Sequence, residues 1–84
     1  MNPHFASLVM GLAAQASAAL EGQLPLGTDG AGVDPREVAR TLIDTLGMLE
    51  EKTNGRLDDE EKRLLMEVLT SLRFRFLQTT PQAT

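Results

Sequence analysis

Lys52-Thr53-Asn54-Gly55-Arg56-Leu57 decides the fold of this chain. It separates two segments whose apolar residues recur at helical spacing, and it places a stop signal and a start signal within a few residues. Asn54-Gly55 ends the upstream helix, because glycine can take the left-handed conformation a helix C-terminus uses. Asp58 caps the downstream helix, and Asp58-Asp59-Glu60-Glu61 has capping-box spacing between Asp58 and Glu61, although a Ser or Thr is the usual first member. A connection this short predicts antiparallel neighbours. Residues 34–77 therefore read as a helical hairpin, the centre of an all-α, three-helix chain.

Working upstream, the second helix is predicted over 35–53. Asp34 is its cap, Pro35 suits its first position, and Glu37 lies in the first turn, where the helix dipole favours an anion. Val38, Ala39, Leu42, Ile43, Leu46 and Leu49 fall on one arc, and Arg36, Arg40, Asp44, Glu51 and Lys52 fall outside it. Working downstream, the third helix is predicted over 59–77. Leu64, Leu65, Val68, Leu69, Leu72 and Phe76 form its main face, which should pack on the second helix. A second stripe, Met66, Thr70, Phe74 and Leu77, projects elsewhere. Burying each large apolar group of that stripe would gain on the order of 1.5–3 kcal/mol, so either the first helix or another molecule should cover it.

The first helix is predicted over 3–21, with Asn2 as N-cap and Pro3 at the first helical position. Phe5, Leu8, Val9, Leu12, Ala16, Ala19 and Leu20 share one face. The opposite face holds Ser7, Gly11, Ala14 and Ala18, all small and uncharged. Two readings stay open: an alanine-rich helix that tolerates exposure, or a close-contact seam for another helix. A homodimer, with helices from each chain completing a larger bundle, would cover both surplus surfaces. Its self-association residues would be Ser7, Gly11, Ala14, Ala18, Met66, Phe74 and Leu77. Between the first two helices, 22–34 reads as a flexible Gly/Pro connector in which Leu24 and Leu26 tuck against the bundle, and 78–84 as a disordered tail.

Composition excludes several function classes. Eighty-four residues make a single small domain. There is no cysteine, hence no disulfide framework, thiolate zinc site or thiol nucleophile. A net charge of −4, with no basic stripe, argues against nucleic acid. The glycine-rich 27–32 segment has no Gly-Lys-Ser/Thr after it, so no nucleotide loop is read there. Four carboxylates at 58–61 are explained by capping and the helix dipole. His4 is the one imidazole, no base is paired with an oriented nucleophile, and no three-ligand metal set occurs, so no enzyme, metal or cofactor is expected. Phe5 to Leu20 is uncharged, but it is short for a membrane span and lacks the Lys or Arg that opens a signal peptide.

Ile43-Asp44-Thr45-Leu46-Gly47-Met48-Leu49-Glu50-Glu51-Lys52-Thr53-Asn54-Gly55-Arg56-Leu57, followed by Glu60-Glu61, Leu64-Leu65 and Leu72-Arg73, resembles the small bacterial domain of unknown function DUF1844. That family reads approximately I-D-x-L-x-M-L-x-E-K-T-x-G-N-L, then acidic residues, then L-R-x-x-Y. The resemblance covers residues 5–77 and departs at Arg56, where Asn is usual, and at Phe76, where Tyr is expected. It implies a small cytoplasmic bacterial helical protein and brings no established catalytic activity. The expected function is a non-catalytic interaction module or adaptor for a larger bacterial partner, such as a signalling GTPase or receiver-domain protein. Its anchor would be Arg73, Phe74 and Arg75, since Arg and aromatic residues are enriched among binding hot spots. The alternative is a membrane- or envelope-associated accessory protein that uses its uncharged first helix.

Overall fold

A computed structural model describes residues 1–23 and 34–79. They form three helices, α1 (Pro3–Leu20), α2 (Pro35–Lys52) and α3 (Asp59–Gln78), with no strand among the described residues. Most of the connector, residues 24–33 with Leu24 and Leu26, and the tail from residue 80 lie outside the described residues. Gln78, assigned above to the tail, ends α3 instead.

Each helix begins where local chemistry directs it. The Asn2 side chain accepts the His4 and Phe5 N–H groups at 2.8 and 3.2 Å, and Asp34 accepts that of Arg36 at 3.0 Å. At α3 the capping box is complete: Asp58 accepts the Glu61 N–H at 2.8 Å, and Glu61 accepts the Asp58 N–H at 2.9 Å. An Asp thus does the work of the usual Ser or Thr, since both present an oxygen at the same reach. The join turns at Gly55, whose φ of 84° is the left-handed value that glycine takes without strain. Arg56 N–H closes this turn on Thr53 O at 2.9 Å.

All three helices touch one another. Arg36 Nε, at the start of α2, donates to Thr79 O just beyond the end of α3 at 3.0 Å. α1 and α3 share a direction: Asn2 N–H meets Glu61 at their starts, and Arg75 meets Ser17 towards their ends. Val9, Ile43, Leu46, Leu65, Leu69 and Leu72 form the buried core, joined by Ala16. Ala16, Ala19 and Ala39 are also nearly fully buried, so small residues lie on the inner faces of α1 and α2 as well as on α1's outer face.

Two positions depart from the sequence reading. Leu8, placed on the buried arc of α1, is 49% exposed, whereas Ala13 packs against the core. Leu8 sits at the margin of that arc, and the close α1–α2 contact leaves its side chain outside. Arg36, placed on a solvated face, lies over the Phe76 ring with its guanidinium carbon 4.0 Å from the centroid. That cation–π contact covers an aromatic edge of the core.

Candidate functional site

At the join, polar groups are committed to structure. Thr53 Oγ1 donates back to Leu49 O at 2.7 Å, closing the end of α2. Glu61 is the one buried charged residue among those described, and its second carboxylate oxygen accepts the Asn2 N–H at 2.7 Å. The same carboxylate therefore completes the α3 cap and pins the start of α1 to the start of α3. The Asp58 carboxyl is held below its ordinary value of 3.8, first by the Glu61 N–H and further by the Met1 ammonium 3.3 Å away. A cluster of acids that could suggest catalysis is occupied with capping.

The face shared by α2 and α3 differs. Gly47 leaves room there for the Arg73 guanidinium; a Cβ at residue 47 would stand 3.1 Å from Arg73 Nη2. On the join side of this point lies a cavity of about 450 Å³, lined by Glu50, Glu51, Asp59, Lys62, Leu65 and Met66 among others. On the far side lies one of about 340 Å³, lined by Arg40, Ile43, Asp44, Arg73, Phe76 and Leu77. The two hollows lie end to end along the α2–α3 groove without a shared lining residue, and each mixes apolar with charged side chains. Along α3 the groove is lined by Met66 and Leu77, which are 49 and 67% exposed, while Phe74, 61% exposed, lines neither hollow. None of Arg40, Asp44, Glu50, Glu51, Asp59, Lys62 or Arg73 has an ion-pair partner among the described residues. α1 does not cover the stripe, because no α1 residue lines either hollow.

The expected anchor of Arg73, Phe74 and Arg75 is divided. Arg75 Nη1 donates to Ser17 Oγ at 2.8 Å, and its Nη2 lies 3.6 Å from Glu21, so this side chain holds α1 to α3. Arg73 turns the other way, over Gly47. Phe74 projects between them into solvent. Consecutive helical residues diverge by about 100°, so three in a row cannot share one face. That geometry was available from the sequence. The ties made by Glu61 and Arg36 were not, because their partners come from distant parts of the chain.

On α1, Ser7, Gly11 and Ala14 are exposed and Ala18 is half-buried. Nothing stands within 4 Å of a Cβ built on Gly11. Leu8 and Met10 beside them are 49 and 52% exposed. In a three-helix bundle the outer side of α1 and the α2–α3 groove look in opposite directions. A contact that joined one to the other between two molecules would leave a free copy of each at either end, giving an open chain instead of a closed dimer.

These features define a small three-helix protein with charges lacking ion-pair partners among the described residues, and with exposed Met66 and Leu77, along the side shared by α2 and α3. The chain belongs to the DUF1844 family: the model described as "Domain of unknown function (DUF1844)" matches residues 2–78. No curated protein and no solved structure matches it.

Proposed function

We propose that this protein is a non-catalytic interaction module of the bacterial cytoplasm, an adaptor that binds other proteins through its α2–α3 groove. The supporting observation is that exposed Met66 and Leu77 line the groove beside charges without ion-pair partners among the described residues. Grooves between helices accept an amphipathic helix by burying apolar anchors and matching rim charges. The join supports a non-catalytic reading, since Thr53, Asp58 and Glu61 are all used in closing helix ends.

Met66→Asp and Leu77→Asp test this. Both side chains are about half exposed or more, so the helical signal and melting temperature should hold. Affinity purification from native cells with mass spectrometry should recover partners with the unaltered chain and lose them with either variant. Recovery of the same partners at the same yield would refute the groove as the binding surface.

Leu8 and Met10, exposed on the uncharged outer side of α1, favour a second reading as a membrane-surface protein. No described helix is long and apolar enough to cross a membrane, so this reading concerns surface attachment. Flotation with lipid vesicles, with Leu8→Glu as control, separates the two.

A further inference from the structure

The charges along the α2–α3 groove are not evenly mixed. The join end carries Glu50, Glu51 and Asp59 against Lys62. The other end carries Arg40 and Arg73 against Asp44. One end is therefore acidic and the other basic, and each holds an exposed apolar side chain, Met66 at the first and Leu77 at the second. A surface with this pattern complements itself when turned end over end.

We propose that a second copy of this chain occupies the groove, related by a two-fold axis perpendicular to the helices. This rests on the reading of the α2–α3 face as a binding surface, which self-association fills until another protein displaces the second copy. In that arrangement α2 faces α2 and α3 faces α3 of the other copy, each pair antiparallel. The acidic end of each groove meets the basic end of its partner, twice over by symmetry. A two-fold axis parallel to the helices would set acid on acid and base on base, so the charge pattern selects between the two closed arrangements. Met66 and Leu77 lie within the contact. The outer side of α1, with Ser7, Gly11, Ala14 and Ala18, is left outside it.

The size of the face sets the strength. α2 has 18 residues, about 27 Å of helix at 1.5 Å per residue, and two helices side by side are about 20 Å wide. That footprint is on the order of 500 Å² per copy, or about 1,000 Å² in total, near the lower limit for specific association. A face of that size suits a weak, reversible dimer, expected at about micromolar concentrations.

The test is sedimentation equilibrium of the full chain, with folding of every variant checked by circular dichroism. The unaltered chain should dimerise in the micromolar range. Arg40→Glu with Arg73→Glu makes both ends acidic, and Glu50→Arg with Glu51→Arg makes both ends basic. Each double variant alone should dissociate more readily by at least about tenfold, since every reversal is counted twice across the two-fold. Mixing the two should restore a dimer, now heteromeric. Gly11→Arg, on the outer side of α1, should leave self-association unchanged. The proposal is overturned if either double variant dimerises like the unaltered chain, if the mixture stays monomeric, or if Gly11→Arg dissolves the dimer. A chain monomeric up to about 100 μM would also overturn it, since that lies well beyond the expected range. If such a monomer still lost its cellular partners through Leu77→Asp, the interaction module would stand and only the second copy would fall.

Discussion

Glu61→Ala should destabilise this protein more than any other single change of a charged residue. The carboxylate accepts the Asp58 N–H at 2.9 Å and the Asn2 N–H at 2.7 Å, while the residue as a whole is only 7% exposed. A hydrogen bond to a charged group contributes about 1.5–3 kcal/mol. Both donors sit at exposed helix starts where water can replace the lost oxygen, which reduces each to about 1 kcal/mol. The one buried methylene that alanine lacks adds about 0.8 kcal/mol. The sum is about 3 kcal/mol, a large part of the roughly 4–13 kcal/mol expected for a domain this small. At about 4–8 °C per kcal/mol, the melting temperature should fall by about 10–25 °C. Thermal melts followed by circular dichroism, with urea titration for the free energy, measure both. Glu67→Ala, exposed and without an ion-pair partner among the described residues, is the control and should change little. Glu61→Gln should recover less than half the loss, because its amide nitrogen faces an N–H donor. If Glu61→Ala melts within about 2 °C of the unaltered chain, the tie between α1 and α3 is not energetically significant.

Other substitutions follow from the same geometry. Gly55→Ala should cost about 1 kcal/mol, because residue 55 holds a φ of 84°, and chemical denaturation reads it directly. Gly47→Ala should have the opposite sign and stabilise by about 0.5–1 kcal/mol, since its Cβ would meet only the movable end of Arg73 at 3.1 Å. Asp58 predicts an acid limb: its carboxyl is depressed in the folded chain, so its contribution is full above the ordinary value of 3.8 and is lost as pH falls through the lower folded value. Melting temperatures recorded against pH should show that limb flattened in Asp58→Asn.

What was legible in the sequence is what depends on near neighbours. Asn2, Asp34 and Asp58 cap their helices because a side-chain oxygen reaches an N–H two or three residues ahead. Gly55 turns the chain for an equally local reason. The inner arcs of α2 and α3 were also readable, since charges bound them on both sides. α1 has no such boundary, and Leu8 was misplaced because nothing charged marks where its buried arc stops. Arg75 shows a different limit. Its place among aromatic neighbours suggested an exposed anchor, but packing of α1 against α3 puts Ser17 and Glu21 within its reach. The Met66–Phe74–Leu77 stripe was visible as a surplus, and the bundle shows that α1 leaves it bare.

Oxidation of the methionines tests the α2–α3 face most directly. Met66, Met10 and Met48 are 49, 52 and 46% exposed in the free chain, which makes each a control for the others. Met66 lines the groove, whereas Met10 lies on α1. Peroxide treatment followed by mass spectrometry, at concentrations below and above association or with a purified partner, gives a rate for each thioether. If the groove is the binding surface, Met66 should slow several-fold on association while Met10 and Met48 keep their rates. Equal rates for all three under every condition, or slowing of Met10 alone, would contradict it.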